Sequence, residues 1–342
     1  MSYFKVYGPT TAPVDRSGVL KFPVRMRSMF PLPQQNGSFT KTYEELCNER
    51  AQQLLARAER LDTQLYAFWS GGIDSTCLLI SLLKNASPSQ RERLVVLMSE
   101  ESIAEYPLFY RKYIRGQLRR ESAMLFPYII GTPVLLVNGE CNDQLFGSDI
   151  IETAINRFGT DAVCKPYDRN LFASFFTQGI GGEGMGSDTP FYVELFEHLC
   201  DNAPVTLSSN YDHFWWINFV LKWQTVYMRM LNYTAERNAH LLTETYLRKY
   251  YAPFYNTEGF QLWSMENTDQ RLTNGWRSYK WPAKDVIYNF TKDANYRDIK
   301  VKRGSLKFLI MSQVSSNFID DKFGFHNEVA IEDFYAKDNV FV

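Results

Sequence analysis

The stretch FWSGGIDSTCLL (68–79) carries the densest chemistry in this chain. An aromatic strand end enters Ser70-Gly71-Gly72, then Asp74 and Ser75, then an apolar run. Two glycines after a strand allow a tight turn and a close approach of the backbone to a ligand. A helix starting there presents free N–H groups and the positive end of its dipole. Together these make an anion site, most naturally for phosphate. The hydroxyls of Ser70 and Ser75 add donors. Asp74 fits beside phosphate only with a divalent cation between them, and a carboxylate with phosphate oxygens is a donor set for Mg²⁺. The plainer alternative is a strand-to-helix turn capped by Asp or Ser. No lysine follows the glycines, so this is not a GxxxxGK[ST] loop.

The surrounding elements must hold that turn at a sheet edge. LYAFW (65–69) predicts a short apolar strand and DSTCLLISLLK (74–84) a helix. RLVVLMS (93–99) and TPVLLVN (132–138) predict two more buried strands, with mainly helical chain over 103–127. Near-continuous Val and Leu strands between helices indicate an α/β fold: a parallel sheet with helices on both faces. Ligands in such sheets bind outside the carboxyl ends of the strands. Upstream, YEELCNERAQQLLARAERL predicts a helix after Thr42. Residues 1–40 read as an arm or small cap, with YFKVYG and GVLKFPV as short strands broken by prolines. Beyond 150 the pattern turns largely helical, and HFWWINFVLKWQTVYMRML (213–231) reads as a long helical run, apolar on much of its surface and aromatic-rich.

After the third strand comes NGECNDQLFGS (138–148). With SGGIDS before it, the chain resembles the PP-loop ATP pyrophosphatases, and within them the synthase domain of asparagine synthetases, whose corresponding pattern is SGEGSDExFGG. Gly139, Glu140, Asp143, Phe146 and Gly147 match; Asn138, Cys141, Asn142, Gln144 and Ser148 depart. YYAPFYNTEGFQLWS (250–264) is similar to RxPFLDxxLVEFAxS, YKWPAKDVIYNF (279–290) to KxxLRxxL, and KVKRGSL (300–306) to RPKxGF. The resemblance implies a sheet of the PP-loop (adenine nucleotide alpha hydrolase-like) type with a largely helical C-terminal lobe. That places a nucleotide core at about 60–160 and the lobe at about 160–315, inside a domain of 41–320 with a tail of 321–342. It implies ATP and Mg²⁺, with Ser70, Gly71, Gly72, Asp74, Ser75, Met98 and Gly139 around the nucleotide and Asp74 and Asp143 sharing the metal. Glu140 takes the position of the general base for an attacking ammonia or amine. Lys302 takes that of the lysine that contacts phosphates, with Lys300 and Arg303 as alternatives.

Composition bounds the partners. Of 342 residues, 45% are apolar and 22% charged, and the formal net charge is −1, so no broad attraction draws nucleic acid or membrane, although a local basic patch remains open. Five scattered cysteines with no CxxC pair argue for reduced thiols in a cytoplasm, and four isolated histidines form no metal motif. No apolar run approaches the ~20 residues that span a bilayer. Ser2 follows Met1, and the stretch ahead of SGGIDS is too short for a glutaminase domain. The nitrogen source is therefore expected to be ammonia, an amine, or a separate glutaminase. The expected activity is an ATP-dependent carbon–nitrogen ligase that adenylates a small carboxylate. Two rivals stand beside it: adenylation of a nucleobase carbonyl in tRNA or DNA, and nucleotide binding without catalysis.

Overall fold

The computed structural model describes residues 13–21, 27–35, 39–179, 185–272 and 280–300. Helix α1 (Tyr43–Arg60) opens on a reciprocal cap, in which the Thr42 side chain accepts from the Glu45 N–H and the Glu45 carboxylate returns to the Thr42 N–H. It leads into β1 (Leu65–Phe68), then α2 (Ile73–Asn85), β2 (Leu94–Met98), β3 (Arg119–Ser122) and β4 (Leu135–Val137). All four strands are parallel, in the order β3-β2-β1-β4. β1, β2 and β4 are buried along their whole length, as a covered parallel sheet requires. From β1 the chain proceeds outward through β2 and β3, then returns to the other side of β1 as β4. That reversal makes the gap between the carboxyl ends of β1 and β4 a topological switch point, where such sheets place ligands.

Downstream come α3 (Asn142–Phe146), α4 (Asn210–Leu221), α5 (Trp223–Arg229), α6 (Glu244–Tyr250), α7 (Glu258–Glu266), α8 (Trp281–Thr291) and α9 (Ala294–Ile299), with further helices at Ser148–Phe158, Arg169–Gln178 and Thr189–Asp201. Every residue of α4 is buried. Its Trp215, Trp216 and Phe219 pack with one another and with Trp223 of α5 in a buried aromatic core. α8 packs on α2 and so borders the switch point. A short segment beside β4 ties the lobe to the sheet, with the Ala252 N–H donating to Leu136 O (2.9 Å) and the Phe254 N–H to Asn138 O (2.8 Å). Among the described residues, no helix is long and apolar enough to cross a membrane.

Residues 103–127 are mainly helical as expected, in short α, 3-10 and π segments, but they also contain β3, which was not expected. Its sequence, RRES, lacks the apolar signal of a strand since it lies at the sheet edge and starts exposed. Two further expectations need correction. The run 213–231 is not one helix. It breaks at Lys222 between α4 and α5, beside the point where the Trp223 indole N–H donates to Asn256 Oδ1 (2.8 Å). The described part of GVLKFPV, 18–21, is irregular. Asp15 organises it by accepting from the N–H groups of Ser17 and Leu20 (both 2.8 Å), which takes the place of a strand ladder. YFKVYG and the tail lie outside the described residues.

Candidate active site

The turn after β1 is built as its residue types demand. Gly71 sits at φ +78°, and a Cβ there would lie 2.5 Å from Ser102 O and 2.7 Å from Glu105 Cβ. Only glycine fits both the conformation and the space. Ser70 and Ser75 are buried and bonded to each other through their hydroxyls (3.0 Å); the Ser70 N–H also donates to Ser75 Oγ (3.0 Å). The Gly72 N–H donates to Ser70 Oγ (3.3 Å). In this arrangement the two serines shape the turn. Gly72 is the N-cap of α2 and supplies no side-chain acceptor, so the dipole end of a thirteen-residue helix is left without a side-chain cap. Tyr296 on α9 and Tyr255 clamp the turn by donating to Gly71 O (3.1 Å) and Asp74 O (2.9 Å).

The loop after β4 meets this turn closely. A Cβ on Gly139 would lie 3.1 Å from Asp74 Cβ and 3.3 Å from Ser75 N, so that glycine lets the two loops touch. Asn142 Nδ2 donates to Asp74 Oδ1 (2.7 Å), and the Tyr43 hydroxyl on α1 donates to Asn142 Oδ1 (2.7 Å). Asp74 and Asp143 converge on one cation, the Lys280 ammonium, whose Nζ lies 2.6 Å from Asp74 Oδ1 and 2.6 Å from Asp143 Oδ1. Lys280 enters from the start of α8 and is buried. Burial raises the pKa of Asp74, and the Asp143 charge pushes it the same way, while Lys280 pulls it down. Burial opposes the charge on Lys280, but the two carboxylates outweigh it and raise its pKa. A second buried pair flanks the turn: Lys300 Nζ lies 2.6 Å from Glu105 Oε1. Glu105 Oε2 has no hydrogen-bond partner among the described residues.

Glu140 is buried on the lobe side of the same loop, and its N–H donates to Asn138 Oδ1 (3.1 Å). Arg229 at the end of α5 donates through Nη2 to both carboxylate oxygens (2.8 and 2.7 Å). Burial raises the pKa of Glu140, and Arg229 works against that shift. The Arg229 side chain is half exposed while that of Glu140 is almost wholly enclosed, so the pair turns a cationic face outward.

Of the residues expected at the site, Ser70, Gly71, Gly72, Asp74, Ser75, Gly139, Glu140 and Asp143 gather at the mouths of β1 and β4. Met98 ends β2 with its side chain wholly buried, which leaves only main-chain atoms there for a ligand. Lys302 and its alternative Arg303 lie outside the described residues; the other alternative, Lys300, is the buried partner of Glu105. Lys280, Arg229, Asn142 and Tyr296 were missed. Lys280 is the first residue of the pattern seen in YKWPAKDVIYNF, directly ahead of a Trp-Pro helix start, and Arg229 is the one cation in the helical run WQTVYMR.

Two carboxylates brought together suit Mg²⁺, which binds through one or two carboxylates and substrate phosphates, although here they hold the Lys280 ammonium. Among the described residues, no group of three or more His, Cys, Asp or Glu side chains forms a metal cage of protein ligands. No family model, curated protein or solved structure matches the chain.

Proposed function

We propose that the chain is an ATP-dependent amide-forming ligase of the asparagine synthetase-like PP-loop kind, which adenylates a small carboxylate and passes the acyl group to ammonia or an amine. The observation that carries this reading is the convergence of Asp74, Asp143 and Lys280 beside an uncapped helix end, at the switch point of a parallel sheet. Asp74 and Asp143 would hold Mg²⁺, which when bound neutralises phosphate charge during pyrophosphate departure. The turn 70–75 and the α2 N-terminus receive the outer phosphates. Lys280 already lies between the carboxylates and moves onto phosphate oxygens, where a cation stabilises charge in a water-poor site. The substrate carboxylate attacks the α phosphate, pyrophosphate leaves, and the nitrogen nucleophile displaces AMP from the mixed anhydride.

The acceptor side favours a carboxylate over a nucleobase. Arg229 spends one nitrogen on Glu140 and turns its half-exposed guanidinium outward, a fork suited to a carboxylate. Glu140 takes the proton of the attacking nitrogen, its basicity raised by burial and restrained by Arg229. The test is to incubate the protein with Mg-ATP, single amino acids or dicarboxylates, and ammonia, while following pyrophosphate and AMP. The expected result is carboxylate-dependent release of both, lost in Asp74→Asn and Asp143→Asn. Release of ADP and phosphate, or turnover that requires nucleic acid, would reject this function.

A further inference from the structure

A cleft of about 450 Å³ opens on the far flank of the molecule, lined by Arg50, Gln53, Arg57, Arg60, Leu61, Arg248 and Lys249. Five of these seven residues are cationic and none is acidic. Arg57 lies fourteen residues beyond Tyr43 along α1, about 21 Å from the end that holds Asn142 at ~1.5 Å per residue. The cleft is therefore separate from the strand-mouth site and independent of the reaction proposed there.

Two of the cations, Arg50 and Arg57, are anchored by backbone carbonyls and pair with no carboxylate among the described residues. Arg50 donates through Nε to Phe254 O (3.0 Å) and through Nη2 to Pro253 O (3.2 Å). Arg57 donates through Nε to Lys249 O (3.1 Å) and through Nη2 to Arg248 O, carbonyls in the last turn of α6. Each guanidinium is thus fixed in orientation, and its Nη1 makes no hydrogen bond among the described residues. Arg248 is shared with Glu244 (2.8 Å), the one carboxylate among the described residues that pairs with any of the five. Burial lowers the pKa of Arg50 to about 10, with Arg57 adding repulsion; burial followed by Arg60 lowers that of Arg57. Cations pressed together in this way gain from an anion that bridges them.

We propose that this cleft binds a small molecule carrying two or more phosphate groups. Its volume is that of a small-molecule site, not of a nucleic-acid channel. The arginine forks match phosphate oxygens in pairs. Arg50 and Arg60 are ten residues apart, about 15 Å along the helix axis, so a single phosphate cannot meet both whereas a chain of phosphates can approach them together.

Isothermal titration with inorganic tripolyphosphate, in EDTA and at physiological ionic strength, tests this. Arg60 and Lys249 are exposed and lie far from the strand mouths, so Arg60→Gln with Lys249→Gln leaves the fold and that site in place. The wild type is expected to bind tripolyphosphate at least about tenfold more tightly than the double variant, and more tightly than it binds citrate. Equal binding by the double variant would overturn the proposal, as would equal affinity for citrate, which would mark a nonspecific anion patch. Binding of single-stranded RNA in preference to tripolyphosphate, abolished by the same substitutions, would also overturn it in favour of a nucleic-acid surface. Absence of ligase activity in the wild type would leave this titration unaffected, so the two proposals fail separately.

Discussion

The loops after β1 and β4 both enter a helix through a left-handed residue, Gly71 at φ +78° in one and Cys141 at φ +75° in the other. At Gly71 the short helix Glu100–Glu105 presses against the backbone, so a Cβ has no space. At Cys141 the side chain is buried and accommodated, and only the conformational cost of about 1 kcal/mol remains. The first glycine is fixed by tertiary contact; the second position is fixed only by backbone geometry. The Cys141 departure from the resembled pattern therefore leaves the loop in shape, and Asp143 still reaches Lys280.

That contrast can be broken by substitution. Gly71→Ala is expected to destabilise by more than about 3 kcal/mol in urea unfolding, since it adds a steric clash to a strained φ; a change under about 1 kcal/mol would mean the Ser102 contact is easily relieved. Next in size is Lys280→Met, which leaves Asp74 and Asp143 facing each other. The expected loss is about 3 kcal/mol, recovered in part by millimolar Mg²⁺. A Mg²⁺ response no larger than that of the wild type would show that the carboxylates do not share a metal ion.

Lys284 gives a smaller effect of opposite sign. It is buried on α8, with its Nζ lacking a hydrogen-bond partner among the described residues, and burial followed by repulsion from Lys300 lowers its pKa from 10.5 to about 8. Between those values the unfolded chain binds more protons, so this group's contribution to stability rises with pH from about 8 to 10.5. Lys284→Met should therefore stabilise at neutral pH, by on the order of 1 kcal/mol after allowing for solvent screening, and the gain should fade across that window. Destabilisation at neutral pH would mean the ammonium is satisfied. Smallest is Cys141→Gly, where relief of the left-handed cost offsets lost packing and the net change stays within about 1 kcal/mol.

The sheet was legible where strands are buried on both faces. LYAF, LVVLM and LLV are unbroken apolar runs, whereas the edge strand RRES carries no such signal. Asp74 and Asp143 could be paired from sequence because each follows a glycine turn at a strand end. Lys280 could not, since it reaches Asp74 across 206 residues through the packing of α8 on α2. Arg229 was hidden for the same reason: a cation closing an apolar helix gives no sign of the buried carboxylate it meets.

The most direct measurement is manganese binding, followed by its paramagnetic signal, in the presence of an ATP analogue that cannot be cleaved between the α and β phosphates. A shared metal at Asp74 and Asp143 predicts nucleotide-dependent Mn²⁺ binding by the wild type, and its loss when Asp74→Asn and Asp143→Asn are combined in a folded chain. Mn²⁺ held as tightly by that double variant would contradict it.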